Sequence, residues 1–424
     1  MSVYRFFRYA QENSSRYARN DSILFNSTCK PSLILKYFNN ESIHINSIYM
    51  NTQKHSLLFV LLLTFVVGSA SAQTKTGGYY YKETKALQAA IEKNFHDKKS
   101  GEYFVELDPA KREVKNGYLR EYTYLWSYCA MYQAANEIEK LEPKANLMAP
   151  MLKLMYEYYN PAPPAAGFTD YIMKLKPGER YYDDNEWIGI TALDAYARTK
   201  KKADLDLGKA MYDFIMTGHD QVLGGGIYWK EGDLSSKNTC SNGPGALVAL
   251  QMYEATKKKA YLDTAIKILE WTDAKLQTPE KLYWDNIRTK DGRVNKGILS
   301  YNTGTPLEAY VYLYEITKEK KYLDEANAIA DASLTFFYGG GKFRDDYWFN
   351  AVLLRAYQHL LKFNKDTKYI IGFKKALDYT LQHEKNEQGL FTGRNGVRNL
   401  VDHGGLLEIL ARYARLEKQY DLKG

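Results

Sequence analysis

Cysteine is close to absent from this chain: Cys29, Cys129 and Cys240 are the only three in 424 residues. That scarcity excludes a disulfide-built scaffold. With no CxxC pair, Cys/His cluster or zinc-ligand spacing, no metal site is inferred either. Cys129 and Cys240 leave two readings open, one bridge in an oxidising compartment or two buried free thiols. A phosphate-cradling loop is missing too, because the glycine runs Gly224-Gly225-Gly226 and Gly339-Gly340-Gly341 lack a strand–loop–helix setting. No Ser-His-Asp order appears, and no cofactor is inferred. Charge of one sign is not concentrated anywhere. The 58 Lys and Arg face 50 Asp and Glu, and the basic residues recur as KKK or KEKK at helix ends, where dipole and solvent suit them. Nothing in that distribution demands a nucleic acid.

Long hydrophobic runs are also lacking. The longest, Leu57 to Val67, covers 11 residues, too few for a membrane span of roughly 20. Lys54 before it and Ala70-Ser71-Ala72 after it complete the pattern of a secretory signal peptide cleaved near Ala72. The signal sits deep in the chain, shortly after Met50. Residues 1–49 are therefore either a misassigned extension or a disordered leader, and 50–72 the signal. The mature chain would run from Gln73 to Gly424 as one domain, in the periplasm or outside the cell. Removing Met1 to Ala72, with seven basic and three acidic residues, takes the formal net charge from +8 to roughly +4. The residue after the cleavage site is Gln73, not a cysteine that could carry a lipid.

What the chain has in abundance is tyrosine, 38 residues, with 17 Phe and 6 Trp. Aromatic rings fill cores and also offer flat faces to sugar rings, so a glycan partner comes into view. Strand signal is almost nil. Apolar residues recur instead at helical spacing between Gly, Pro and Asn clusters. Three stretches, beginning at Trp187, Gly245 and Thr305, repeat one design: a helix ending in an aromatic, two residues and Thr, a Lys-rich turn, then a second helix. Weaker copies begin near Tyr122, Tyr347 and Asp402. About 12 helices, as six hairpins between Glu83 and Tyr420, predict an all-α fold. Closure into a toroid is favoured by the long loops, Gly218 to Gly243 and Thr278 to Gly304, with an open solenoid as the alternative.

The segment richest in chemistry is Tyr181-Tyr182-Asp183-Asp184-Asn185-Glu186-Trp187, at the start of a helix. Cleaving a glycosidic bond takes one carboxylic acid to protonate the leaving oxygen and a second carboxylate to attack the sugar or activate water. Adjacent aspartates supply both and split each other's proton affinity. The plainer reading is a helix start with dipole-favoured acids. A similar pair, Asp345-Asp346, stands at another helix start, where capping is the default reading. His403 is read as structural. Tyr182, Trp187, Trp229, Trp284 and Tyr301 are candidate stacking platforms, and Asn238, Asn242 and Asn302 candidate partners for sugar hydroxyls.

YYDDNEW resembles the signature of glycoside hydrolase family 76, the endo-α-1,6-mannanases. Three further segments resemble the family in order: Gly224-Gly225-Gly226-Ile227-Tyr228-Trp229; Lys237-Asn238 with Ser241-Asn242-Gly243; and Tyr301-Asn302-Thr303-Gly304-Thr305. The resemblance covers most of Tyr81 to Tyr420 and implies an (α/α)6 barrel. It also implies a retaining mechanism on α-mannan, with Asp183 as nucleophile and Asp184 as acid/base. Thr303 stands where the family has Gln, Tyr228 where it has Trp, and Glu186 where small residues are frequent. These departures touch subsites rather than the carboxylates. Since the family includes cell-wall transglycosylases, transfer stands beside hydrolysis; the alternatives are a glycosidase or transglycosylase on another α-linked glycan and a non-catalytic glycan binder on the same fold.

Overall fold

The computed structural model describes residues 77–115, 117–176, 178–392 and 399–422, all within one unit, Lys75–Gly424. The expected extension 1–49, the signal segment 50–72 and Cys29 lie outside the described residues. Twelve α-helices are described: α1 Tyr79–Asn94, α2 Leu125–Leu141, α3 Met148–Met155, α4 Tyr182–Thr199, α5 Lys202–Met216, α6 Thr239–Thr256, α7 Lys259–Leu276, α8 Ser300–Thr317, α9 Lys320–Tyr338, α10 Tyr347–Asn364, α11 Lys368–His383 and α12 Leu400–Gln419. No helix among them is long and apolar enough to cross a membrane.

Burial sorts the helices into two sets. The even-numbered helices from α4 to α12, together with α2, are buried along most of their length, as expected of helices packed on all sides. The others bury one stripe. Each inner helix packs on the next, α2 on α4, α4 on α6 and so on to α12, and α12 returns to α2. The toroid is therefore closed. Five hairpins pair consecutive helices, but the sixth joins the two ends of the sequence, α12 with α1, a pairing that no local repeat could reveal.

The repeated sequence motif is a helix-ending device. Lys200, Lys257, Lys318 and Lys365 each adopt a left-handed conformation just past an inner helix, a position that ordinarily selects Gly. In the first three, the lysine N–H donates to the carbonyl of Tyr196, Tyr253 or Tyr314. The ammonium groups lie 5.3, 5.4 and 5.9 Å from the same tyrosine rings. Cation–π attraction and the helix dipole offset a left-handed cost of about 1–2 kcal/mol.

At the other end of the inner helices, the fourth residue reaches back to the preceding loop. Tyr128 Oη accepts from Tyr103 N, Asn185 Oδ1 from Phe168 N, Asn242 Oδ1 from Ile227 N and His403 Nε2 from Phe391 N. Each clamped residue is itself a buried apolar side chain. The loops at this end carry the strands: β1 Val114–Lys115 with β2 Tyr118–Leu119, β3 Tyr159–Asn160 with β4 Gly167–Phe168, and an antiparallel meander of β5 Tyr228–Lys230, β6 Asp233–Asn238, β7 Trp284–Arg288 and β8 Val294–Ile298. The meander contradicts the expectation of almost no strand. It is built by pairing two loops, Asn238 opposite Asn286, from segments such as DLSSKN and VNKGI that carry no alternation.

Trp126, Trp187, Trp348, Tyr301 and Phe349 meet within the ring at centroid distances of 4.3–6.4 Å. Toward the C-terminal ends of the inner helices lies a polar cavity of about 330 Å³, lined by paired charges such as Arg355 with Asp194 and Glu308. Close helix approach needs glycine at one crossing in particular. A methyl group at Gly405 would lie 2.3 Å from Trp348 Cα and 2.4 Å from its N. Gly405→Ala should lower the urea-unfolding free energy by about 3 kcal/mol. Gly340→Ala, where nothing lies within 4 Å, should change it by less than about 0.5 kcal/mol.

Candidate active site

Helix α4 begins at Tyr182, and its first turn holds Asp183 and Asp184. The segment before it is tied to the meander: Tyr181 bridges Lys230, and Glu231 N donates to Arg180 O at 3.0 Å. This pairing brings Trp229 beside the aspartates. Its indole Nε1–H donates to Asp183 Oδ2 at 3.0 Å, and the Asp184 N–H donates to Asp183 Oδ1 at 3.0 Å. The Tyr181 and Trp229 rings lie 4.9 Å apart. Both oxygens of Asp183 are thus engaged, whereas no hydrogen bond to the Asp184 carboxyl is found among the described residues.

Both carboxyls keep some access to solvent yet are walled in by protein, and this burial raises their proton affinity. Asp183 is pushed up to about 6, restrained by its donors. Asp184 rises well above the usual carboxylate range, first through burial and then through the Asp183 charge. The pair therefore divides: Asp183 gives up its proton first, and Asp184 keeps its own.

Two more carboxyls stand close by, and sequence reasoning assigned neither a role. Glu186 is 0 % exposed and neither of its oxygens has a partner. Burial, then the charges of Asp183 and Asp184, drive it well above its ordinary range, so it is a neutral acid. Asp285, on β7, is raised to about 7 by burial. The amides of Asn286 and Asn295 each donate to it at 2.9 Å and that of Asn302 at 3.4 Å. Its only signal in the sequence was its place beside Trp284. Cys129 and Cys240 are both buried free thiols, which settles the two readings left open. Cys129 Sγ donates to Asp184 O at 3.4 Å.

The structure brings Asp183, Asp184, Trp229 and Tyr301 together, with Tyr301 stacked on Phe349 at 4.3 Å. Trp284 is half-buried at the start of β7, with the Lys296 ammonium 5.4 Å from its ring. The other expected contacts are core groups. Tyr182 and Trp187 are 4 % and 1 % exposed, packed on Phe214 and Trp348 respectively, so neither presents a face to a sugar. Asn238, Asn242 and Asn302 are buried. Asn242 spends its amide on Ile227 O and Asn238 O, Asn302 donates to Asp285, and Asn238 accepts from Ser236. The Asn242 amide is thus fully used in positioning protein, whereas the buried Asn302 Oδ1 has no partner among the described residues. Asp345 accepts from Ser300 N at 2.6 Å, capping α8 rather than its own helix, and Asp346 is the N-cap of α10.

Residues 79–357 match the model of glycosyl hydrolase family 76. Mannan endo-1,6-alpha-mannosidase DCW1 of Candida glabrata is 25% identical over 185 residues, 40% of this chain and 42% of that protein. The chain thus spans about two-fifths of this curated relative. An α-mannanase of the same family from Bacteroides thetaiotaomicron superposes with a TM-score of 0.73 at 24% identity, covering 81% of this chain and 97% of that one. An inactive variant of a Salegentibacter α-1,6-mannanase, with two consecutive aspartates changed to asparagine and α-1,6-mannotriose bound, superposes with a TM-score of 0.66. It is 23% identical, with 80% of this chain and 99% of that one covered. A family match over well over half of the sequence, on a closed toroid with paired aspartates at its mouth, places the chain: it belongs to glycosyl hydrolase family 76.

Proposed function

We propose that this protein is a retaining endo-α-1,6-mannanase that acts on mannan after secretion to the periplasm or cell exterior. The observation that carries the proposal is the split pair. Asp183 accepts hydrogen bonds from the Trp229 indole, the Cys240 thiol and the Asp184 N–H, which favour its ionised form, whereas burial without such donors raises the proton affinity of Asp184 further. In this reading Asp183 attacks the anomeric carbon while Asp184 gives its proton to the departing glycosidic oxygen, leaving a mannosyl ester on Asp183. Asp184, now a carboxylate, takes a proton from water as that water attacks the anomeric carbon and frees Asp183. Trp229 fixes the attacking carboxylate, and Tyr301 borders it. The secreted location rests on the signal-like segment before Gln73, and the mannan substrate on the relatives named above.

Incubating the protein with linear α-1,6-mannooligosaccharides should release a ladder of shorter products whose first-formed anomer, read by proton NMR, is α. A first-formed β anomer would overturn retention. Asp184→Ala should lower kcat by about 10²–10⁴-fold, and Asp183→Ala should abolish turnover while sugar binding persists.

The pH dependence follows from the two carboxyls. Activity requires Asp183 ionised, so kcat/KM should fall as pH drops through about 6. Asp184 must hold its proton, so the alkaline limb lies well above that. Trp229→Phe removes a donor to the ionised form. The acidic limb should then move up by about one pH unit, the worth of one charge-assisted hydrogen bond.

Glu186 makes a separate prediction for stability. Its folded proton affinity is raised, so the unfolded chain loses this proton first, near pH 4.3. Folding stability therefore declines as pH rises from there, by about 1.4 kcal/mol per unit until the folded group ionises. Glu186→Gln removes the penalty. The variant and the wild type should melt together near pH 4, and the variant should be the more stable at pH 7. Parallel melting curves at both pH values would show that Glu186 is not buried as a neutral acid.

A further inference from the structure

The loop that delivers Trp229 to Asp183 is held from beneath by one buried ammonium. Lys237, on β6, pairs across the strands with Tyr228, the neighbour of Trp229. Its side chain is 0 % exposed. The three N–H donors of Nζ go to Asp220 Oδ1 at 2.6 Å, Val222 O at 2.9 Å and Gly225 O at 2.6 Å, which exhausts them. The cation lies 4.6 Å from the Tyr228 ring and 5.9 Å from the Trp271 ring.

Trp271 is the floor of the same loop. Its indole donates to Leu223 O at 3.1 Å. A methyl group at Gly226 would lie 2.7 Å from its ring atoms, and Gly225 and Gly226 have φ of 137° and 83°, so only glycine follows this path. The Asn242 clamp on Ile227 completes the anchorage. Two residues beyond Ile227, Trp229 emerges and meets Asp183. Among these anchors only Lys237 carries a charge. Two of its three acceptors are loop carbonyls, so its loss would leave buried acceptors unpaired.

We propose that Lys237 is a positioning residue for the nucleophile: by gathering Asp220, Val222 O and Gly225 O it fixes the glycine loop in the path that sets the Trp229 indole against Asp183. This rests on the reading of Asp183 as nucleophile, and the test has an arm that needs no substrate. In the ¹⁵N-labelled full chain, the Trp229 indole resonance, identified by its loss in Trp229→Phe, should shift as Asp183 titrates. In Lys237→Met that pH-dependent shift should vanish while the Trp187 and Trp348 indoles stay in place. In the kinetic arm, Lys237→Met and Trp229→Phe should each lower kcat by about 10- to 100-fold. The double variant should be no worse than the poorer single, because both changes remove one interaction.

An indole in Lys237→Met that titrates as in the wild type overturns the proposal, and so do additive kinetic losses. If Lys237→Met does not fold, Asp220→Asn decides. It neutralises the acceptor at a half-exposed site while keeping an amide oxygen for Val222 N and Tyr228 Oη, which Asp220 also accepts from, and should show a reduced Trp229 shift, whereas an unchanged shift overturns the proposal. A wild-type protein that leaves α-1,6-mannan intact would defeat the proposed function, yet the NMR arm would still decide whether Lys237 sets the Trp229–Asp183 contact.

Discussion

A carboxylate walled in by protein is unfavourable unless donors replace the water it has lost. Asp183 has the Trp229 indole, the Cys240 thiol and the Asp184 peptide N–H, and the first turn of α4 adds the positive end of a helix dipole. Asp184 and Glu186 share that turn without comparable partners. The site can therefore accommodate one negative charge at low cost, and the donors decide where it rests. Trp229 comes from a loop remote in sequence, so the charge distribution depends on how accurately that loop is held.

The toroid holds it by means repeated around the ring. Short lysine-capped turns close the hairpins at one end of the inner helices, which leaves the long loops to the other. There the fourth inner-helix residue satisfies the backbone of the loop before it, through Tyr128, Asn185, Asn242 or His403. Each clamp meets a demand that any buried backbone group makes. The Asn242 clamp has the further consequence of fixing Ile227, and so the approach of Trp229. Scaffold and site are thus joined at particular atoms, and a change at Asn242 would be felt at Asp183.

Much of this was legible in sequence because it repeats or is local. Helical spacing gave the helices, the Tyr-x-x-Thr-Lys motif gave the hairpin turns, and adjacent acids at a helix start marked the pair. What escaped depends on contacts between distant segments. The meander strands are polar and pair across loops, so neither alternates. Trp187 reads like a platform beside two aspartates, yet the ring interior needs its bulk against Trp348. Asn242 reads like a sugar-binding amide because clamps and ligand contacts draw on the same residue type. A signal for the clamps was present, since Asn185, Asn242 and Asn350 all stand fourth in their helices. It emerges only when the repeats are aligned on helix starts.

Glu186 shows why departures from a family pattern need physical interpretation. A carboxyl where small residues are frequent would, if ionised, place a second negative charge within one turn of Asp183, with no donor to meet it. Remaining protonated costs the fold stability at neutral pH but leaves the charge on Asp183 undisturbed. The same burial raises the proton affinity of Asp184, the group proposed to protonate the departing glycosidic oxygen. One turn of helix thus carries three acids, and the donors from Cys240, Trp229 and the Asp184 peptide favour the negative charge on Asp183, the carboxyl proposed to attack the sugar.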